Sequence, residues 1–445
     1  HCPQADLVLG LCDRKTPETY CPAAEIVEIN ELDIPELGTF IYQYSILELN
    51  TAIKPYVVEL LMNRGYKKVI YFDPDIRIFN SLESMLGLLD EHNVLLTPHL
   101  TNLLDDGKWP TELSILQAGS YNLGYIALRT CEETRKLVKW WQAKLYKECV
   151  VDLPRNLFVD QKWMDLVPSM FAGVYINRDP SWNIAYWNLN HRCLEQRADG
   201  GFDVDGKPLT FFHFSGFSIE ATTLSKHQSR FAKGPRGTPL RELCSLYEDA
   251  LTRNGIERFK SLPYAFSHFA DGTKVPDAAR RLIRTSDALA GIDFFDQKQC
   301  PRIHEVLNRL VHSKKGGISL TALALALWES RADLRDAFPA VESVDSIRFA
   351  EWFLDAAPRE AGFSELYLAP VREQLDHDGR AAHGHRTRQH QGGLPFHLPQ
   401  GRRHGSQEQG KHRHDHQRQQ HLQQTQTKHM LAHRAQLGQV ELQPD

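Results

Sequence analysis

Three observations predict an α/β domain followed by a mostly helical extension. Over residues 1–235, short apolar runs of strand length alternate with segments of helical periodicity. That is the pattern of an α/β domain built on a largely parallel sheet. From about Pro235 to Leu375 the periodicity turns almost wholly helical, as in "PLRELCSLYEDALTRNG", "CPRIHEVLNRLVHS" and "SLTALALALWES". Near residue 377 the composition breaks into Gln, His and Arg with few large apolar residues. The expected division is therefore 1–235, 236–376 and 377–445, the last a low-complexity tail too poor in apolar surface to order.

The elements follow in chain order. "DLVLGLCD" and "AEIVEIN" read as short strands. "FIYQYSILELNTAIKPYVVELLMNRGY" has helical periodicity, with Pro55 at a helix start or kink. "KKVIYFD" is a strand, "SLESMLGLLDEH" a helix and "NVLLTPHL" another strand. "AGSYNLGYIALR" carries a strand, and "CEETRKLVKWWQAKLYKEC" is an amphipathic helix whose Trp140 and Trp141 read as core packing. "FVDQKWMDLVP", a strand in "AGVYINRD" and the apolar run "KPLTFFHFSG" complete the domain. In such sheets, ligands gather where the loops converge at the carboxyl ends of the strands.

A chain of 445 residues, 42% hydrophobic, has room for two or three domains. The net charge of −4 argues against a general nucleic-acid or membrane-surface binder. The eight cysteines form no CxxC pair, so they read as reduced thiols of a cytoplasmic protein, peripheral at most to an inner membrane. No apolar run approaches the roughly 20 residues of a membrane span. The tail holds more than half of the histidines without regular ligand spacing, and an out-of-frame gene end would look the same.

"VIYFDPDIRIF" carries the chemistry. An apolar run reaches Phe72 and then meets Asp73 and Asp75, separated by Pro74. At a strand end, two residues at this spacing point to one side, and two ionised carboxylates there repel unless a cation joins them. Mg2+ or Mn2+ takes carboxylate oxygens together with phosphate oxygens. The alternative is a solvated turn, for which Asp is a common residue.

On these residues the chain resembles the GT-A nucleotide-sugar glycosyltransferases, especially the family 8, glycogenin-like type. "VIYFDPDIRIF" is similar to that family's DxD strand, "YNLGYIALR" to its N-(S/A)-G strand, "FVDQKWMDLV" to its DQD segment and "FFHFSGF" to its H-(F/Y)-x-G loop. The four stand in the family's order across residues 1–235. The likeness is nearest to bacterial surface-polysaccharide transferases, where "SRADLRDAFP" also has a counterpart. The resemblance implies a GT-A Rossmann-like fold, a mixed sheet with helices on both faces, and transfer of a sugar from a nucleotide-diphosphate sugar, UDP-sugar foremost, to a glycan or lipid-linked glycan. It also implies retention of anomeric configuration, although Asp160 as a base would suit inversion.

The resemblance assigns roles residue by residue. Asp73 and Asp75 would bind Mn2+ or Mg2+, with His213 as third ligand in place of a merely backbone-satisfied strand-end histidine. Asn122 would hydrogen-bond the donor sugar or serve a turn, the family's glycine position being occupied here by Leu123-Gly124. Asp160 and Gln161 would contact sugar hydroxyls or cap a helix. Lys226 and His227, in "LSKHQ", would neutralise the diphosphate, and Lys54 is a further phosphate or sugar candidate. Trp182 and Trp187 line an acceptor groove or pack the core. Against the family pattern, the chain opens at what would be the second strand, without the first strand and helix that hold the base and ribose. Two other classes compete: a DxD phosphotransferase with Asp73 as nucleophile, and a non-catalytic relic or carbohydrate-binding module of a transferase.

Overall fold

The computed structural model describes residues 2–313 and 317–383. The helix Glu365–His383 runs through the predicted boundary at residue 376, and the rest of the predicted tail, from residue 384, lies outside the described residues. The chain forms two compact units. Among the described residues, one holds those up to Pro35 together with Ile46–Tyr264, and the other holds Glu36–Ser45 together with those from Ala265 onward.

In the first unit, the strand Lys68–Phe72 pairs antiparallel with Tyr125–Arg129 over five residue pairs. Tyr125–Arg129 pairs antiparallel with Val94–Leu96, which lies parallel to Val174–Ile176. The sheet is therefore mixed, with two of its three pairings antiparallel, and not largely parallel as expected. Apolar runs such as "VIYF" report a strand packed into the core, but packing does not encode strand direction; the connections do. Val8–Leu11 and Glu25–Glu28 form a separate parallel pair.

Aromatic packing backs the sheet where the aspartates emerge. Phe72, Tyr125 and Phe211 meet with ring centroids 5.2–5.5 Å apart, and Trp182 closes on Tyr125 and Phe211. Burying each ring is worth about 1.5–3 kcal/mol, so the base of the site is firmly anchored. Trp182 is thereby part of the core. Trp141 is fully buried in the helix Glu132–Glu148, and Trp140 packs on Trp163 and Phe171.

The sequence reading passed over a three-stranded antiparallel sheet, Leu194–Gln196, Phe202–Val204 and Lys207–Pro208. Its second turn is Asp205-Gly206, both at positive φ, the Asp-Gly signature of a tight hairpin. The helix Pro239–Arg253, which the sequence reading groups with the extension, belongs to the first unit's core. Its Leu243, Cys244, Tyr247 and Leu251 join Phe212 and Phe214, with Tyr247 stacked on Phe214 at 3.8 Å.

The helical run through residues 40–66 is broken into Leu37–Tyr42, Ile46–Ala52 and Lys54–Asn63, the last beginning at Lys54-Pro55 as a proline start favours. In the second unit, Tyr42 stacks between Phe269 and Phe294 and donates its hydroxyl to the His268 carbonyl. His304 there sits 2.7 Å from Asp271 and 3.0 Å from the Tyr367 hydroxyl, tying a turn to two helices. All eight cysteines are free thiols. Among the described residues, no helix is long and apolar enough to cross a membrane.

Candidate metal centre

Asp73 and Asp75 lie in a turn and not on a strand. Asp73 follows the strand Lys68–Phe72, Asp75 precedes the strand Ile76–Ile78, and the Ile76 amide closes on the Asp73 carbonyl at 3.0 Å. Pro74 presets the backbone of such a turn. The Asp73 amide donates to the Gly124 carbonyl at 2.7 Å, and the Phe214 amide donates to the Asp75 carbonyl at 2.8 Å. The strand Phe211–His213 pairs antiparallel with Ile76–Ile78 and sets His213 opposite Ile76. A histidine 138 positions beyond Asp75 in the chain thus reaches it through pairing register, with Nε2 2.9 Å from Asp75 Oδ1 and 3.9 Å from Asp73 Oδ2.

The ligand atoms of Asp73, Asp75 and His213 all lie within 4.8 Å of one another. The side chains of His213 and Asp75 are 3% and 6% exposed, whereas that of Asp73 is 27% exposed, so the cluster opens to solvent on the Asp73 side. Two carboxylates and one imidazole form a mixed N/O donor set that suits a divalent cation. Burial disfavours a charge on His213, yet the neighbouring Asp75 carboxylate outweighs it and raises the histidine's pKa.

Lys54 is buried behind the cluster. Its ammonium lies 2.9 Å from Asp160 Oδ2, 3.3 Å from Asp73 Oδ1 and 2.8 Å from the Leu123 carbonyl. An ammonium has three donors, and three oxygens take them, so Lys54 holds the two aspartates in place and has no donor left for a phosphate. Burial works against its charge, but the Asp160 and Asp73 carboxylates prevail and raise its pKa. Burial pushes Asp160 up to about 6 against the pull of Lys54. Tyr71, unremarked in the sequence, donates its hydroxyl to Asp73 Oδ1 at 2.6 Å.

The remaining candidates divide. Asn122 is buried directly behind His213, its Oδ1 3.1 Å from His213 Nδ1. Gly124 is required there: a Cβ on it would stand 2.3 Å from His213 Cε1 and 2.8 Å from Asn122 Oδ1. Gln161 donates to the Ala118 carbonyl at 3.0 Å. Lys226 and His227 fold back on the "FSGF" loop. The Lys226 amide donates to the Gly216 carbonyl at 3.0 Å, and the His227 ring leaves no room for a side chain at Gly216. Burial lowers Lys226 to about 8. Rings connect this loop to the cluster, His227 to Tyr186, Tyr186 to Trp187 and Trp187 to His213. Trp187 is therefore a wall of the centre. The sequence reading missed His99 and Asn183, both buried and both bonded to Asn122; the only trace of His99 was its place at the end of the strand "NVLL".

The chain is similar to two proteins of Bacillus subtilis strain 168. It is 25% identical to uncharacterized protein YfnD over 229 residues, 49% of this chain and 71% of that protein. It is 24% identical to uncharacterized protein YfnF over 221 residues, again 49% and 71%. No protein-family model matches.

Proposed function

We propose that the protein is a metal-dependent glycosyltransferase with a GT-A type of fold. It would move a sugar from a nucleotide-diphosphate sugar, UDP-sugar foremost, to a glycan or lipid-linked glycan of a bacterial surface polysaccharide. The observation that carries this reading is the convergence of Asp73, Asp75 and His213 into one cluster open on a single side. The sequence likeness named the same three residues and Asp160, which Lys54 ties to Asp73.

Asp73, Asp75 and His213 would hold the cation, leaving its other positions to diphosphate oxygens and water. Bound there, a divalent cation supplies Lewis-acid stabilisation of the charge that builds on the departing nucleoside diphosphate. Lys54 keeps the Asp73 and Asp160 carboxylates apart from one another at fixed distance, so neither must reorganise when substrate arrives. Lys226, whose charge burial disfavours, would gain from an anion beside it and would meet the diphosphate in this reading. Asp160, buried and paired with Lys54, would act on the donor sugar. For the acceptor, the reading uses the groove of about 350 Å3 whose walls include Arg178 and Pro98, Leu100 and Tyr121, the last three next in sequence to His99 and Asn122.

The test is release of nucleoside diphosphate from UDP-, GDP- and dTDP-sugars with Mn2+, comparing the wild type with Asp75→Asn. Metal-dependent release that the variant loses is the expected result. Donor binding without turnover would leave a carbohydrate-binding relic, and release unaffected by Asp75→Asn would refute the reading.

A further inference from the structure

Asn122 joins two buried imidazoles. Its Oδ1 stands 3.1 Å from each of three nitrogens: the Gly124 amide, Asn183 Nδ2 and His213 Nδ1. A backbone N–H and a carboxamide NH2 only donate, so the oxygen of Asn122, not its nitrogen, faces all three. An amide oxygen only accepts, which puts a proton on His213 Nδ1. In the neutral ring, Nε2 then carries the lone pair, on the side of Asp75 and Asp73. At the other end of the carboxamide, Asn122 Nδ2 lies 3.3 Å from His99 Nε2. Because Nδ2 must donate, that nitrogen of His99 accepts.

The surroundings hold the carboxamide in this orientation. Turning it over would set an NH2 against the Gly124 amide and the Asn183 NH2, donor against donor. Asn183 is itself fixed: it is 1% exposed, has a positive φ of 50°, and gives its other contact to Thr97 Oγ1 at 2.7 Å. Asn188 Nδ2 donates to its carbonyl at 3.0 Å. Trp187 stands edge-on to both imidazoles, 5.1 Å from His99 and 5.2 Å from His213. Keeping a non-Gly residue at positive φ costs about 1–3 kcal/mol, which the network around Asn183 offsets.

We infer that Asn122 is a positioning residue that sets the tautomer and ring orientation of His213, so that Nε2 is presented to a divalent cation, with Asn183 and His99 fixing Asn122 in turn. A metal-ligating histidine usually gives its second N–H to an acceptor behind it, and loss of that acceptor weakens metal binding. Here the acceptor is a carboxamide that is itself locked from both ends. The inference rests on the metal site of the reading above and changes the part given to Asn122. With its oxygen taken by three donors, Asn122 does not accept from a sugar hydroxyl, and its contribution passes through His213.

The test is Mn2+ binding to the metal-free full chain, followed by electron paramagnetic resonance, with nitrogen modulation of the Mn2+ signal as the signature of imidazole ligation. Wild type is expected to bind with that modulation. Asn122→Leu removes the acceptor and is expected to lose the modulation and bind about 10–100-fold more weakly. Asn122→Asp keeps an oxygen for His213 Nδ1–H and is expected to retain the modulation at wild-type affinity or tighter. Asn122→Leu that binds as wild type does, or Asn122→Asp that fails as Asn122→Leu does, overturns the inference. Should Asn122→Leu not fold, Asn183→Gly, which relieves the positive φ while removing a donor, carries the test: unchanged affinity overturns the inference and weakened affinity supports it. A wild type that takes up no Mn2+ removes the metal reading and this inference together, a result distinct from a binding wild type with an equally binding Asn122→Leu.

Discussion

Replacing Lys54 with Met tests the electrostatic frame of the centre. The ammonium is 3% exposed and sits 2.9 Å from Asp160 and 3.3 Å from Asp73. A methionine fills the same volume but leaves the Asp160 carboxylate, 2% exposed, with no counter-charge. Removing one partner of a buried ion pair costs about 3–5 kcal/mol, and the metal-free variant should lose that much at pH 7.5 in urea unfolding. The deficit depends on pH. Asp160 already titrates at about 6 in the intact site, above its ordinary value near 3.9. The folded state therefore binds a proton more readily than the unfolded state between those values, and its stability falls as pH rises across that window. Without Lys54 the carboxyl moves higher still. At pH 5 it is protonated, and the deficit should shrink toward about 1 kcal/mol, that of the lost hydrogen bonds. The double variant Lys54→Met/Asp160→Asn should recover most of the loss at pH 7.5. A loss under about 1 kcal/mol at pH 7.5, or a deficit that is the same at pH 5 and in the double variant, would refute the reasoning, since a buried pair cannot be broken that cheaply.

Mn2+ affinity, measured by calorimetry, should fall about tenfold per pH unit below the raised pKa of His213, because a proton on Nε2 excludes the metal. That same raised pKa contributes stability below the ordinary value near 6.5 and loses it as pH rises through the folded value. The metal-free protein should therefore unfold more easily above that pKa, and added Mn2+ should remove the decline. Gly124→Ala forces a methyl against the His213 ring and should weaken Mn2+ binding about 10–100-fold. Gly87→Ala, in the helix Glu83–Glu91 with nothing within 4 Å of the added methyl, should raise stability by about 0.5–1 kcal/mol and leave Mn2+ binding unchanged. Tyr247→Ala removes the ring stacked on Phe214 and should cost about 3–5 kcal/mol in thermal or urea unfolding.

Much of this was legible along the chain. Apolar runs located the strands Lys68–Phe72, Val94–Leu96 and Tyr125–Arg129, because a strand packed inside a layered domain carries an unbroken apolar stretch. The Asp73 and Asp75 pair stood out, since carboxylates at the end of such a stretch need a partner, although the structure sets the two in a turn between strands. His213 was reached by likeness to a motif, and pairing register in the structure explains why it arrives at Asp75. Strand direction was not legible, nor was the membership of Glu36–Ser45 in the second unit, because hydropathy records how deeply a residue is buried and not against what.

The partners that set the centre's chemistry were less visible still. Lys54 reads along the chain as a phosphate or sugar candidate, whereas its ammonium is taken by three oxygens of the fold. His99 and Asn183 carried no spacing signal, because a hydrogen bond between residues 61 positions apart, such as Asn183 to Asn122, depends on donor direction over about 3 Å. The sequence by itself determined which side chains can ligate a cation, a property of their chemistry and local order. Only the tertiary structure decided which nitrogen of His213 faces the aspartates and which carboxylates share Lys54, because those are matters of orientation between segments that meet only when the chain is folded.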